Sequence, residues 1–150
     1  MVIFALRHAD RRPDPQDDLT SKGVERAALL ARMLAETGVS VAFRSDTVRA
    51  RRTLEPLEQK LGSGLVVKEI KITGPGGTDA HVQQIVDAVR QLPNDTVVAI
   101  VSHSNTVGRI VKALGGGSVA IEDHEFDKLF VLVAKAGSVD LLRLRYGAAT

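Results

Sequence analysis

The sequence of 150 residues contains no cysteine and no tryptophan, and only one tyrosine. Without cysteine there are no disulfides, no thiolate metal sites and no thiol nucleophile. Aromatic residues make up 3% of the chain. The core must therefore be aliphatic, and the aromatic platforms on which single-stranded nucleic acid stacks are not available. The soft metal ligands are four histidines, His8, His81, His103 and His124, and no two stand at i, i+4. No metal site and no cofactor is expected from that spacing. No apolar run approaches the roughly 18–20 residues of a membrane span. The apolar run at residues 2–6 is too short for the core of a secretion signal and has no basic leader. The net charge of +2 and the isoelectric point of about 9.2 are too mildly basic to point to nucleic acid. The expectation is a soluble, cytoplasmic protein with no nucleic-acid and no membrane partner; nothing in the sequence sets its oligomeric state.

What is present is ordinary for a folded domain: 44% apolar and 25% charged residues. A chain of this length can bury roughly 68–70% of its unfolded surface without staples, and one domain spanning residues 1–150 is expected. The apolar pattern alternates between strands and helices. Short apolar runs at 2–6, 39–43, 65–70 and 96–101 read as strands, the last buried on both faces. Helices are expected from Thr20, with Val24, Ala27, Ala28, Ala31, Leu34 and Ala35 as the buried stripe, and over 47–61, where Pro56 should kink or interrupt the helix. Another is expected from near His81 and a fourth after His103, opened by Ser104, Asn105 and Thr106. Runs at 129–134 and 139–144 around Gly137-Ser138 read as a hairpin. The fold class is therefore α/β: a three-layer α/β/α sandwich with a mostly parallel central sheet and an antiparallel edge near the C-terminus.

In such sheets ligands bind beyond the carboxyl ends of the strands. Arg7 and His8 follow the first strand, His103 follows the 96–101 strand, and Arg49 lies about one turn into the second helix. Two histidines and two arginines at one sheet edge make a cationic pocket. Free N–H groups at Ser104 and Asn105 would add to it, and a tetrahedral phosphoryl group is its natural occupant. Arginine donates in a fixed fork and stays charged, while histidine can be neutral and nucleophilic near pH 7. Arg44, Arg51, Arg52 and the pair Arg11-Arg12 read as solvated, with Arg44 also within reach of a substrate; His81 and His124 lie in polar stretches and read as solvated. The triplet Gly115-Gly116-Gly117 reads as a helix stop, its spacing unlike a dinucleotide fingerprint.

Four segments carry a resemblance. Leu6-Arg7-His8-Ala9 is similar to the Arg-His-Gly signature of the histidine phosphatase superfamily, which includes the cofactor-dependent phosphoglycerate mutases. Leu19-Thr20-Ser21-Lys22-Gly23 resembles its Leu-Thr-x-x-Gly helix opening, Ser45-x-x-x-Arg49-Ala50-x-x-Thr53 its second-arginine motif, and Val101 to Thr106 its second-histidine motif. They occur in the family's order. The segments 126–130 and 142–147 resemble a small bacterial branch without a lid, similar to the phosphohistidine phosphatases.

The resemblance implies that His8 is the nucleophile that takes the phosphoryl group, that Arg7 and Arg49 hold its oxygens, and that His103 donates to them as charge builds. Adjacent arginines should keep His8 neutral. The substrate implied is a phosphorylated small molecule or a phosphoprotein. Ala9 departs from the signature glycine, and Ser104-Asn105 from the commoner Gly-Gly. Larger relatives carry a glutamate general acid in the segment corresponding to 71–81, where this chain offers only Asp79. Asp79 is thus the candidate acid, or equally an N-cap, with Asp10 as one alternative and the lack of any dedicated acid as the other. A mutase and a phosphate-binding regulatory module without turnover stand beside the phosphatase reading.

Overall fold

A computed structural model describes residues 1–150. The chain runs β1 (Val2–Arg7), α1 (Ser21–Leu34), β2 (Val41–Arg44), α2 (Val48–Leu61), β3 (Val66–Glu69), α3 (Gly77–Arg90), β4 (Val97–Ser102), α4 (Val107–Ala113), β5 (Lys128–Lys135) and β6 (Ser138–Arg145). The six strands form one sheet in the order β3-β2-β4-β1-β5-β6. The first four are mutually parallel; β5 runs antiparallel to β1, and β6 to β5. The expected mostly parallel sheet with an antiparallel C-terminal edge is what forms.

Period-2 alternation explains the two cores. Ile3 and Ala5 of β1, Val98 and Ile100 of β4, and Phe130 and Leu132 of β5 face one side, where Ile85, Val86 and Val89 of α3 and Val107, Ile110 and Val111 of α4 cover them. Leu6, Ala99, Val101, Leu129 and Val131 face the other side, under Leu30 and Leu34 of α1 and Leu54 and Leu57 of α2. The register pairs Arg7 with Ser102. The next residues, His8 and His103, therefore leave the sheet side by side. From β1 the chain winds out to β2 and β3; from β4 it crosses to β5 and β6. The two central strands flank the point where the winding changes direction, which is where open α/β sheets leave a crevice.

Several details differ from the sequence reading. In α1 the Thr20 hydroxyl caps the helix by accepting from the Gly23 amide, as expected, but the buried stripe is rotated. Val24 and Ala28 are exposed, and Arg26 is buried. The cause is close approach of the loop after β1: a β-carbon on Gly23 would sit 2.1 Å from the Asp10 carbonyl oxygen. Arg26 tolerates burial because each nitrogen has an acceptor. Nε donates to the Asp10 carboxylate at 2.7 Å, Nη1 to the Tyr146 carbonyl at 2.6 Å and Nη2 to the Ala148 carbonyl at 2.9 Å.

Helix α2 runs through Pro56 without a break. A mid-helix proline costs about 3 kcal/mol, and full burial of Leu54 and Leu57 beside it offsets this at about 1.5–3 kcal/mol per side chain. Helix α3 begins at Gly77, four residues before His81, and α4 begins at Val107, so that Ser104 to Thr106 form a turn rather than the helix's first residues.

Candidate active site

A cavity of about 630 Å³ opens beyond the ends of β1 and β4. Its walls include all six residues expected to bind or attack a phosphoryl group: Arg7, His8, Arg49, His103, Ser104 and Asn105. Arg11, Pro13, Asp123 and Phe126 complete it. Three arginines against one aspartate make the cavity cationic.

His8 is buried, and its ring centre lies 5.2 Å from that of His103. His8 Nδ1 is 2.9 Å from the Ala9 carbonyl oxygen. A carbonyl only accepts, so Nδ1 carries the proton and Nε2 of the neutral ring keeps its lone pair. The ring is neutral because burial pushes its pKa down to about 2, with the charges of His103, Arg7 and Arg49 acting in the same direction and the Ala9 hydrogen bond opposing them. Burial likewise pushes His103 down to about 3, helped by Arg49 and His81.

Arg7 is held by the loop before β5. Its Nη1 donates to the carbonyls of Asp123 at 2.8 Å and Glu125 at 3.0 Å, and its guanidinium carbon lies 3.9 Å over the Phe126 ring. Two carbonyls use the two hydrogens of Nη1 and leave Nη2 as a donor for an anion. That loop is itself closed by Glu125. Its carboxylate accepts from the Glu122 amide at 2.9 Å and pairs with Lys128 at 2.9 Å and Arg145 at 3.1 Å. These contacts, the amide bond foremost, hold its pKa down to about 2.

Arg49 projects from the first turn of α2. Its Nη2 lies 3.3 Å from His103 Nδ1. Arginine has no acceptor, so Nδ1 accepts and the proton of the neutral ring sits on Nε2, which donates to the Ser45 hydroxyl at 2.8 Å. Arg49 Nη1 is gripped by Asp17, both carboxylate oxygens at 2.7 Å. Thr53, buried one turn further along α2, accepts from the Ala9 amide at 2.8 Å and donates to the Arg49 carbonyl at 2.8 Å.

The carboxylates proposed as acids are not brought into the cavity. Asp79 lies in the first turn of α3, with its side chain 87% exposed and paired with Arg109 at 2.8 Å. It is not the helix cap either, because α3 begins after Gly76, which sits at φ 82°. Asp10 is committed to Arg26 in the buried pair described above. Contrary to what its polar stretch suggests, His81 is not solvated. It is fully buried, because the early start of α3 turns it inward. Its Nδ1 donates to the Ile70 carbonyl at 2.9 Å, and its Nε2 accepts from the Ser102 hydroxyl at 2.8 Å. His124 is exposed as expected. Arg44 pairs with Glu69 at 2.8 Å and does not line the cavity. No three His, Asp or Glu side chains converge as a metal site would require.

Residues 5–71 match the sequence model of the histidine phosphatase superfamily (branch 1). The resemblance is borne out. The matched stretch contains Arg7, His8 and Arg49; His103 lies beyond it, and the fold supplies it. The histidine phosphatase fold extends over the whole chain. The structure of the protein histidine phosphatase SixA complexed with tungstate superimposes with a TM-score of 0.75 at 20% identity, covering 97% of each chain. A mycobacterial glucosyl-3-phosphoglycerate phosphatase in complex with inorganic phosphate gives a TM-score of 0.67 at 16% identity, covering 99% of this chain and 97% of that one. No curated protein matches the sequence.

Sequence reasoning did not find Asp17, Arg11, Pro13 or Asp123, all in loops whose pairing no periodicity reports. Ser45, Thr53 and Phe126 stood inside quoted segments, but their partners are 44 or more residues away along the chain for Thr53 and Ser45.

Proposed function

We propose that this protein is a phosphatase that hydrolyses a phosphomonoester or a phosphoramidate, on a small molecule or a protein, through a phosphohistidine on His8. The observation that carries this reading is the state of His8: its Nδ1 proton is committed to the Ala9 carbonyl, its ring is neutral, and its Nε2 lone pair is free in an arginine-lined cavity. Nε2 attacks phosphorus, the P–N bond forms, and the bond to the leaving oxygen or nitrogen breaks. Arg7 and Arg49 hold the phosphoryl oxygens throughout. The phosphoryl dianion favours protonated His103. The ring then changes from acceptor to donor, using a proton from solvent, and stabilises the charge that builds. Water next attacks phosphorus, the P–N bond breaks, and phosphate leaves with His8 restored.

The leaving group matters because neither carboxylate weighed as its acid is placed to protonate it: Asp10 is paired with Arg26 and Asp79 is outside the cavity, while Asp123, the one carboxylate on the cavity wall, is exposed to solvent. Groups that depart without such help are favoured. An aryl oxygen is one, and the imidazole of a phosphohistidine, which departs neutral once its other ring nitrogen has taken a proton from solvent, is another. The arginines supply the positive charge, and the reaction proceeds without a divalent ion.

The test is His8→Ala combined with labelling. The unmodified protein should take label from a radioactive phosphoryl donor, stable to base and labile to acid as a phosphoramidate is, and His8→Ala should neither label nor turn over. Chelator should leave the rate unchanged. Label on serine or aspartate, or activity that survives the substitution, overturns the mechanism; loss in chelator restored by magnesium or zinc overturns its metal independence.

A further inference from the structure

We propose that Asp17 is a positioning residue for Arg49, holding one end of the guanidinium so that the other is presented to the oxyanion beside His8 and His103. The inference rests on the phosphatase reading above and adds to it a residue from the loop after His8.

The geometry is that of a clamp. Both Asp17 oxygens lie 2.7 Å from Arg49 Nη1, and Oδ2 also receives the Arg49 backbone amide at 3.4 Å. One carboxylate thus holds both the backbone and the tip of the same residue. With Nη1 fixed, the planar guanidinium loses rotation about Nε–Cζ. Nη2 is then set 3.3 Å from His103 Nδ1, on a ring 5.2 Å from that of His8. A long, partly exposed arginine is otherwise free to sample several rotamers.

Asp17 is itself held in place. It is the one non-glycine residue with a positive φ, at 57°. Such a conformation persists where its surroundings over-determine it. Its amide donates to the Asp14 carbonyl at 3.0 Å, and Oδ1 also takes Arg11 Nη1 at 3.2 Å. The next residue, Asp18, pairs with Arg52 at 3.0 Å. Arg49 and Arg52 are three apart and so share a face of α2. Two consecutive aspartates therefore clip the loop to that face.

A carboxylate next to an anion site has an opposite reading, in which it plugs the arginine until substrate displaces it. Two facts argue against a plug. Asp17 is not among the residues lining the cavity, and it engages Nη1 while Nη2 is turned to His103.

The experiment uses Asp17→Asn and Asp17→Ala, with orthovanadate as the probe. Asparagine tolerates the left-handed conformation, so Asp17→Asn keeps the loop if alanine does not fold. Loss of the clamp should weaken vanadate binding roughly 10- to 100-fold, the scale on which a misplacement of about 1 Å acts, and should raise KM more than it lowers kcat. Nitrogen-15 NMR of the arginine Nη groups supplies a readout that mere destabilisation does not move. Arg49 should show separate Nη signals in the unmodified protein and averaged ones in both variants. Unchanged or tighter vanadate binding by Asp17→Asn overturns the proposal, as do Nη signals that stay separate. If the unmodified protein binds no vanadate, the phosphatase reading fails, and the Nη spectra still decide whether Asp17 clamps Arg49.

Discussion

The backbone amide of Ala9 donates to the hydroxyl of Thr53 at 2.8 Å, across 44 positions of sequence. The same hydroxyl donates to the Arg49 carbonyl at 2.8 Å. One buried side chain therefore ties the peptide next to His8 to the helix that carries Arg49.

Thr53→Val keeps the shape and removes the bridge. It leaves the Ala9 amide buried without a partner, which costs about 1–3 kcal/mol. The expected outcome is a lower midpoint in urea together with lower kcat/KM, both restored in Thr53→Ser. A valine variant as stable and as active as the parent would show that the bridge positions nothing.

Asp79→Asn should leave hydrolysis of alkyl and aryl phosphates within about twofold of the unmodified rates, against the roughly 10²–10⁴-fold loss that removal of a general acid brings on a poor leaving group. The reason is its place on the surface, paired with Arg109. Asp10→Ala should act differently, through folding: it strands Arg26, whose side chain is 1% exposed, and breaking a buried pair costs about 3–5 kcal/mol. Rates on the two substrate classes, measured with thermal melts, distinguish these outcomes.

In the folded chain His8 is pushed down to about 2 and His103 to about 3, in each case chiefly by burial, and His81 is pushed down as well. Unfolded, each takes up a proton near its ordinary pKa of about 6.5. The unfolded state therefore binds more protons below that pH. Stability is fully present above about pH 6.5 and is lost as pH falls below it, by up to about 1.4 kcal/mol per pH unit for each histidine. The low pKa values of Glu125, Asp18, Asp46 and Asp127 act with the same sign at more acid pH. Urea unfolding at pH 7.5, 6.5 and 5.5 should show the decline, and His8→Ala should reduce its slope. His8 stays neutral throughout this range, so an inflection in kcat would report the proton that His103 takes up when the phosphoryl group binds. A flat stability profile would mean that the rings are charged in the native state.

Local sequence pattern is enough to set the layers and to place the candidate site residues at the strand ends. Period-2 runs flanked by helical stripes dictate a sheet covered on both faces, and Arg7-His8 and His103 fall directly after two of those runs, where the backbone carries them to one edge whatever the loops do. Local pattern failed where a distant partner outweighed local preference. The stripe of α1 rotated because Gly23 lets the Asp10 carbonyl approach and Arg26 finds three acceptors. Pro56 did not interrupt α2, which spans the expected residues, because Leu54 and Leu57 are buried on either side of it. His81, in a polar stretch, went inside because Ile70 and Ser102 satisfy both its ring nitrogens. Which carboxylates reach the cavity was likewise a tertiary matter. Asp79 and Asp10 were drawn to Arg109 and Arg26, while Asp17, unremarkable in a polar loop, was placed on Arg49. A charged side chain goes where its countercharge and hydrogen-bond partners are, and those partners come from elements that only the folded chain brings together.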